Sequence, residues 1–228
     1  MALLASDDER LLAAPVPLET FVLLARRRDP VVHAASANVG GPARMVYVLG
    51  EETPWGAWVD CVQRVTAALR EEGHEISGFD VLVRSAVPIG GGLASGSALS
   101  VAILRALRQA FTLSLTDDAL ARLAVRIRQS PIAIATVFAQ EHAAILVEGE
   151  QHEVIALPAD LELRVLSERS VPADPIALDA LLSALRAGDS ERLVALFDAR
   201  AAHERDRSDL LAARRTLALA KRASPQAA

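Results

Sequence analysis

The 228-residue chain has a single cysteine, Cys61. That excludes an intrachain disulfide framework and a cysteine-based zinc site, and it suits a reducing compartment. No uninterrupted apolar run approaches the ~20 residues needed to span a bilayer, so no membrane partner is expected. The first ten residues lack a basic segment followed by a long apolar core, so no signal peptide is expected, and the expected compartment is the cytoplasm. Excess positive charge is also missing. A net charge of −5 and a pI of about 5.6 argue against a nucleic-acid partner. Lysine is nearly absent too: Lys221 is the only one, and no feature of the fold accounts for it. What is present suits a folded chain, with 52% hydrophobic and 23% charged residues and length enough for one large domain or two small ones.

Residues 1 to 20 carry few structural signals beyond Pro15 and Pro17. Phe21–Ala25, Val31–Ala35 and Met45–Leu49 read as strands, with Arg26-Arg-Arg-Asp-Pro30 a solvated turn more readily than an anion site. Thr53-Pro54 predicts a helix start, followed by one apolar face through Trp58, Val62, Val65 and Leu69 and a stop at Gly73. Trp55 and Trp58 are expected to anchor that helix by packing. Cys61 is expected to be a small buried hydrophobe. Phe79–Arg84 reads as a strand, and a helix from about Ser97 to Gln109 is expected to bury Val101, Leu104 and Leu107.

Thr116-Asp-Asp118 caps a further helix with an inner stripe of Leu120, Leu123 and Ile127. Ile132–Phe138 is ambiguous between strand and helix. Ala143–Val147, Glu153–Leu157 and Leu161–Leu166 predict an antiparallel meander. From Asp174 the pattern is helical: Asp174-Pro175 as a start, Gly188 as a stop, Ser190 capping a helix with Leu193, Leu196 and Phe197, and Ser208 capping a last helix through Leu217 before a tail from Ser224. The order is that of an α+β protein with a mostly helical C-terminal part.

Between the strand ending at Arg84 and the helix that follows lies Pro88-Ile-Gly-Gly-Gly-Leu-Ala-Ser-Gly-Ser-Ala98, with four glycines in the seven positions from Gly90 to Gly96. Glycine permits positive φ and close approach of backbone N–H groups to a ligand, and the next helix turns its positive end the same way. The loop reads as a phosphate cradle. A Walker A loop would need lysine where Ser97 stands, and a dinucleotide fingerprint would need glycine where Ser95 stands. A purely structural turn is the competing reading, and Ser97 also suits a plain N-cap.

The loop resembles the ATP-binding motif Pro-x-Gly-x-Gly-Leu-Ser-Ser-Ser-Ala-Ala of the GHMP small-molecule kinases, galactokinases in particular. Ala68-Leu-Arg-Glu-Glu-Gly-His74, Gly78-Phe-Asp-Val-Leu-Val83, His142-Ala-Ala-Ile-Leu146, Ala184-Leu-Arg-Ala-Gly-Asp189 and His203 resemble other galactokinase segments in the same order. The resemblance runs from about Leu18 to Ala223. It implies a GHMP-kinase-like α+β fold, with a ribosomal protein S5 domain 2-like N-terminal part over 1–130 and a C-terminal region over 131–228. It implies ATP bound by Pro88, Gly90, Gly91, Gly92, Leu93, Ala94, Ser95, Gly96, Ser97 and Ala98. It also implies Mg²⁺ on Ser95 or Ser97, and a sugar hydroxyl as phosphoryl acceptor.

The departures bear on activity. The family's opening Gly-Arg-x-Asn-Leu-Ile-Gly-Glu-His-Thr-Asp-Tyr motif, source of a catalytic arginine and sugar-binding acids, has no counterpart before Leu18. The Gly-Ile-Met-Asp-Gln segment with the catalytic aspartate is replaced by Arg128-Gln-Ser-Pro-Ile-Ala-Ile-Ala-Thr-Val-Phe138, which holds no carboxylate. The last glycine-rich motif is missing, and Ala94, Ser95 and Gly96 stand where the family has three serines. Weak or absent sugar phosphorylation is therefore expected, with a pseudokinase that binds nucleotide, sugar or protein as the alternative. Without the opening strand an uncovered edge or apolar surface is expected, and pairing with a second copy would cover it. His142 and His203 are expected to pack or face solvent, and Glu141 is discounted as a partner of His142 if that segment is extended.

Overall fold

The computed structural model describes residues 1–39, 44–170, 176–206 and 214–221. In chain order these form β1 (Ala2–Ser6), β2 (Arg10–Ala14), β3 (Thr20–Arg26), β4 (Val31–Ser36), β5 (Met45–Val48), α1 (Asp60–Glu71), β6 (Phe79–Ser85) and α2 (Ser95–Phe111). Then follow α3 (Asp117–Arg128), α4 (Ile132–Val137), β7 (Ala143–Glu148), β8 (Gln151–Ala156), β9 (Leu161–Ser170), α5 (Leu178–Ala187), α6 (Ser190–Asp206) and β10 (Arg214–Lys221). The mixed α+β class is as expected. The residues group into two compact units.

One unit comprises Leu18–Ile89 and Ser95–Val137. Its sheet has the order β3-β6-β4-β5, with β4 and β6 parallel and the other pairs antiparallel. Gly78 enters β6 where the chain passes so close to the preceding turn that a Cβ would come within 2.5 Å of the Asp29 carbonyl oxygen. The sheet's register follows from alternation: Phe79, Val81 and Val83 are buried, while Leu82 and Arg84 are exposed.

Helix α1 buries Val62, Val65 and Leu69, α2 buries Val101, Leu104 and Leu107, and α3 buries Leu120, Leu123 and Ile127, as the stripes predicted. Thr116 caps α3 by accepting the Ala119 N–H at 3.2 Å, and Gln129 ends it in the left-handed region. Arg126 ties α3 to α1 through Glu72, 3.1 Å, Glu71, 3.6 Å, and the Ala68 carbonyl, 3.0 Å.

The other unit comprises Met1–Pro17, Gly90–Ala94 and the chain from Phe138. Its four-stranded antiparallel sheet has the order β1-β2-β7-β8 and buries Leu12, Ile145 and Val147. The turn from β1 to β2 is held by Asp7, whose carboxylate accepts the Glu9 and Arg10 N–H groups and the Arg10 guanidinium.

Several expectations are corrected. The first twenty residues are not featureless but supply β1 and β2, whose short alanine-leucine runs give little periodicity. Helix α1 does not start at Thr53-Pro54. It starts at Asp60, whose carboxylate accepts the N–H groups of Trp55, Gly56 and Ala57 and so holds a turn ahead of the helix. Helix α2 opens at Ser95, two residues before the expected start. The ambiguous Ile132–Phe138 run is helical, as α4.

Strand β9 does not extend the meander but pairs with β10 in a separate two-stranded sheet. Leu217 lies in β10 rather than in a helix, so the C-terminal part is not all helical. Within that part α5 ends at Gly188, φ +64°, as expected, and α6 begins at Ser190 and buries Leu193 and Phe197. Asp174-Pro175, Ser208 and the tail from Ser224 lie outside the described residues, as does the side chain of His203.

Candidate functional site

The loop between β6 and α2 owes its shape to its glycines. Gly90 and Gly92 have φ of +74° and +72°, and a Cβ on either would meet only open space. Glycine is needed there for its backbone conformation rather than for room. Ala94 takes the same left-handed region at φ +52°, where an L side chain is strained, and the helix begins on the next residue. Leu93 is buried.

A groove of about 310 Å³ lies in the unit that holds α2, α1 and the β3-β6-β4-β5 sheet. Ser95, Gly96 and Leu99 of α2 line it, together with Trp58, Asp60, Cys61 and Arg64 around the start of α1. Ser36, Asn38, Val83 and Ser85 come from the ends of β4 and β6, and Arg128 from the last turn of α3. Ser97, paired with Ser95 by the sequence as a magnesium ligand, is 3% exposed and is not among the lining residues.

Most polar groups in the groove are already engaged. Asn38 donates to the Ser85 carbonyl at 2.7 Å and accepts the Ser85 N–H at 2.6 Å, which latches the end of β6 to the end of β4. Both oxygens of Asp60 are taken by the turn before α1. Ser100, on the turn beneath, donates to the Gly96 carbonyl at 2.9 Å and lies 3.1 Å from Cys61 Sγ. Burial pushes the Cys61 thiol up, against the opposing pull of the Ser100 contact and of the Arg128 and Arg64 charges. The thiol stays protonated near neutrality and is no nucleophile.

Two cations are not engaged. Arg64 is exposed, and no hydrogen bond or ion pair joins it to another described side chain. Arg128 lies against the first turn of α2. A Cβ on Gly96 would sit 2.5 Å from Arg128 Cζ and 3.0 Å from Nε, so this glycine is required for the guanidinium's place. Arg128 Nε is buried and has no hydrogen-bond acceptor. An unpaired buried donor costs free energy unless a ligand or water meets it. Two guanidinium groups beside the positive end of a 17-residue helix with no acidic residue in its first turn suit an anion. As a magnesium site the groove is sparsely furnished among the described residues: of the two expected serines only Ser95 lines it, and the lining carboxylate, Asp60, already accepts three backbone N–H groups.

The sequence missed Arg128 and Arg64 because nothing local distinguishes them from helix-surface arginines. The arginine triplet it did single out is a turn. There the Arg27 guanidinium meets Asp29 at 2.7 Å and Asp80 at 3.5 Å, and holds the Asp29 carboxyl down to about 2. Trp55 is corrected: it is 43% exposed and does not anchor the helix core, while Trp58, half-buried, precedes α1 and lines the groove. Cys61 is half-buried in the groove wall rather than enclosed. Glu141 and His142 sit exposed in the turn before β7, His142 with φ +54°, so the strand geometry used to discount them does not apply.

The comparisons with known proteins agree with one another. Residues 60–149 match the GHMP kinases N terminal domain. Galactokinase of Streptomyces coelicolor is 29% identical over 172 residues, covering 74% of this chain and 42% of that protein. Lactococcus lactis galactokinase, solved with galactose, superposes with a TM-score of 0.63 at 20% identity, over 84% of this chain and 52% of that one. Streptococcus pneumoniae phosphomevalonate kinase, solved with phosphomevalonate and AMPPNP, gives 0.62 at 13% identity, over 86% and 73%. The chain spans about half the length of the galactokinases it matches.

Proposed function

We propose that this chain is a galactokinase-like, nucleotide-binding member of the GHMP kinase family whose phosphorylation of a sugar hydroxyl is weak or lost. The binding half of the reading is supported by the groove, its two uncommitted arginines and the left-handed glycines before α2. The related phosphomevalonate kinase, solved with AMPPNP, shares the fold. In this reading ATP is the ligand, Pro88 to Ala98 hold its phosphates, and a sugar such as galactose is the ancestral acceptor.

The observation that carries the catalytic half is α4. Phosphoryl transfer needs a polar group to orient or deprotonate the attacking hydroxyl and charge to offset the phosphoryl in flight. The stretch from Arg128 to Phe138 offers no carboxylate. It ends α3 and then forms a helix that buries Ala133, Ile134, Ala135 and Val137. Thr136, the one hydroxyl on α4, donates back to the Ile132 carbonyl at 2.9 Å.

A coupled assay with ATP and galactose should show turnover at least about 10³-fold below ordinary kinase rates of 1–100 per second. Galactose-dependent ATP consumption at ordinary rates, abolished by Gly92→Trp, would overturn the reading.

A second role, as a pseudokinase that pairs with another copy of itself, is favoured by one observation. Phe21 and Leu23 on the edge strand β3, Leu82 on β6 and Val46 on β5 are 43–70% exposed. Such residues on an edge-bearing sheet invite a partner. Sedimentation at high concentration should show a dimer, and a strictly monomeric profile would remove this role.

A further inference from the structure

We infer that the groove takes a polyphosphate free of magnesium, held by Arg128 and Arg64, rather than a metal–nucleotide complex. The inference rests on the nucleotide-binding reading above and departs from what the family resemblance implies about Mg²⁺. Three observations lead to it. Arg128 Nε is buried with no acceptor, while a glycine at position 96 keeps room for its guanidinium beside the first turn of α2. Arg64 faces the same groove, and among the described residues neither arginine is paired with a carboxylate. The one carboxylate in the groove wall, Asp60, spends both oxygens on three backbone N–H groups.

A divalent ion carried in with a nucleotide would cancel part of the negative charge that the two guanidinium groups attract, and the lining carboxylate, Asp60, already accepts three backbone N–H groups. An uncomplexed di- or triphosphate brings the missing negative charge, and its oxygens match the planar donors of a guanidinium. The nearby arginine Arg126 gives the contrast within one helical turn. It spends its donors on Glu71, Glu72 and the Ala68 carbonyl, and so has a structural employment that Arg128 lacks.

The test is calorimetric titration of the full chain with ATP, once in EDTA and once in excess magnesium. Binding in EDTA at least as tight as in magnesium is expected. Arg128→Gln should weaken it by about tenfold or more, the usual loss for a charge-assisted hydrogen bond. Gly96→Ala, which displaces the guanidinium without removing it, should weaken binding in the same direction and covers the case in which Arg128→Gln does not fold. Arg126→Met should leave the affinity unchanged.

Binding that requires magnesium, or that survives Arg128→Gln and Gly96→Ala unaltered, overturns the metal-free inference and leaves the nucleotide reading standing. Heat in neither condition overturns both.

Discussion

Helix α4 begins only a few residues of chain after Arg128, which lines the groove beside the start of α2, yet groove and helix treat polar chemistry in opposite ways. The groove keeps two arginines uncommitted and leaves a buried Nε–H without an acceptor. Helix α4 buries four apolar residues and returns its one hydroxyl to its own backbone. A cavity that leaves donors open suits a ligand. A segment that packs its side chains into the core contributes stability and no reacting group. On the proposed reading, binding and the chemical step are separable in this fold.

The largest expected effect comes from forcing the second region to resemble what a phosphoryl-transfer site requires. Ile134 is 4% exposed on α4. Ile134→Asp would remove its apolar burial and place a carboxylate with no cation or donor provided for it, a cost of more than about 3 kcal/mol. Urea unfolding should show the loss as a lowered midpoint. If the variant folds with wild-type stability, α4 is not the packed element described, and a reacting carboxylate could have been accommodated there after all.

The helix stripes and the main strands of the α2-bearing unit were legible because amphipathic periodicity survives in single sequence: Val62, Val65 and Leu69, or Leu120, Leu123 and Ile127, need only their spacing. The glycine loop was legible because positive φ selects glycine at 90 and 92. Three things were not. Strands β1 and β2 are alanine-rich and gain their identity from pairing with each other and with β7, a contact some 135 residues away in sequence. The start of α1 was misplaced because Thr53-Pro54 is a good local start signal, while Asp60, by holding the turn, decides the outcome. The arginines of the groove were invisible since a guanidinium declares itself only by what it fails to meet in space. Arg27, in the conspicuous triplet, meets two carboxylates, and Arg128, at the end of the predicted helix α3, meets none among the described residues.

That distinction can be sharpened with a smaller effect on the same helical turn. Arg126 and Arg128 are two residues apart in the last turn of α3, where either charge suits the negative end of the helix. Among the described residues only Arg126 of the two has partners, with its side chain 46% exposed and Glu71 and Glu72 68% and 48% exposed. Exposed pairs of this kind are worth little each, so Arg126→Met should cost about 1 kcal/mol, most of it from the bond to the Ala68 carbonyl and the loss of the α1–α3 tie. The loss should shrink in high salt, which screens the two glutamates. Arg128→Gln, by contrast, should cost less than Arg126→Met, because it removes a charge that no described carboxylate meets. Thermal unfolding of both variants at low and high salt decides the matter: a larger loss for Arg128→Gln than for Arg126→Met would make Arg128 a structural residue and return the groove to an ordinary helix junction.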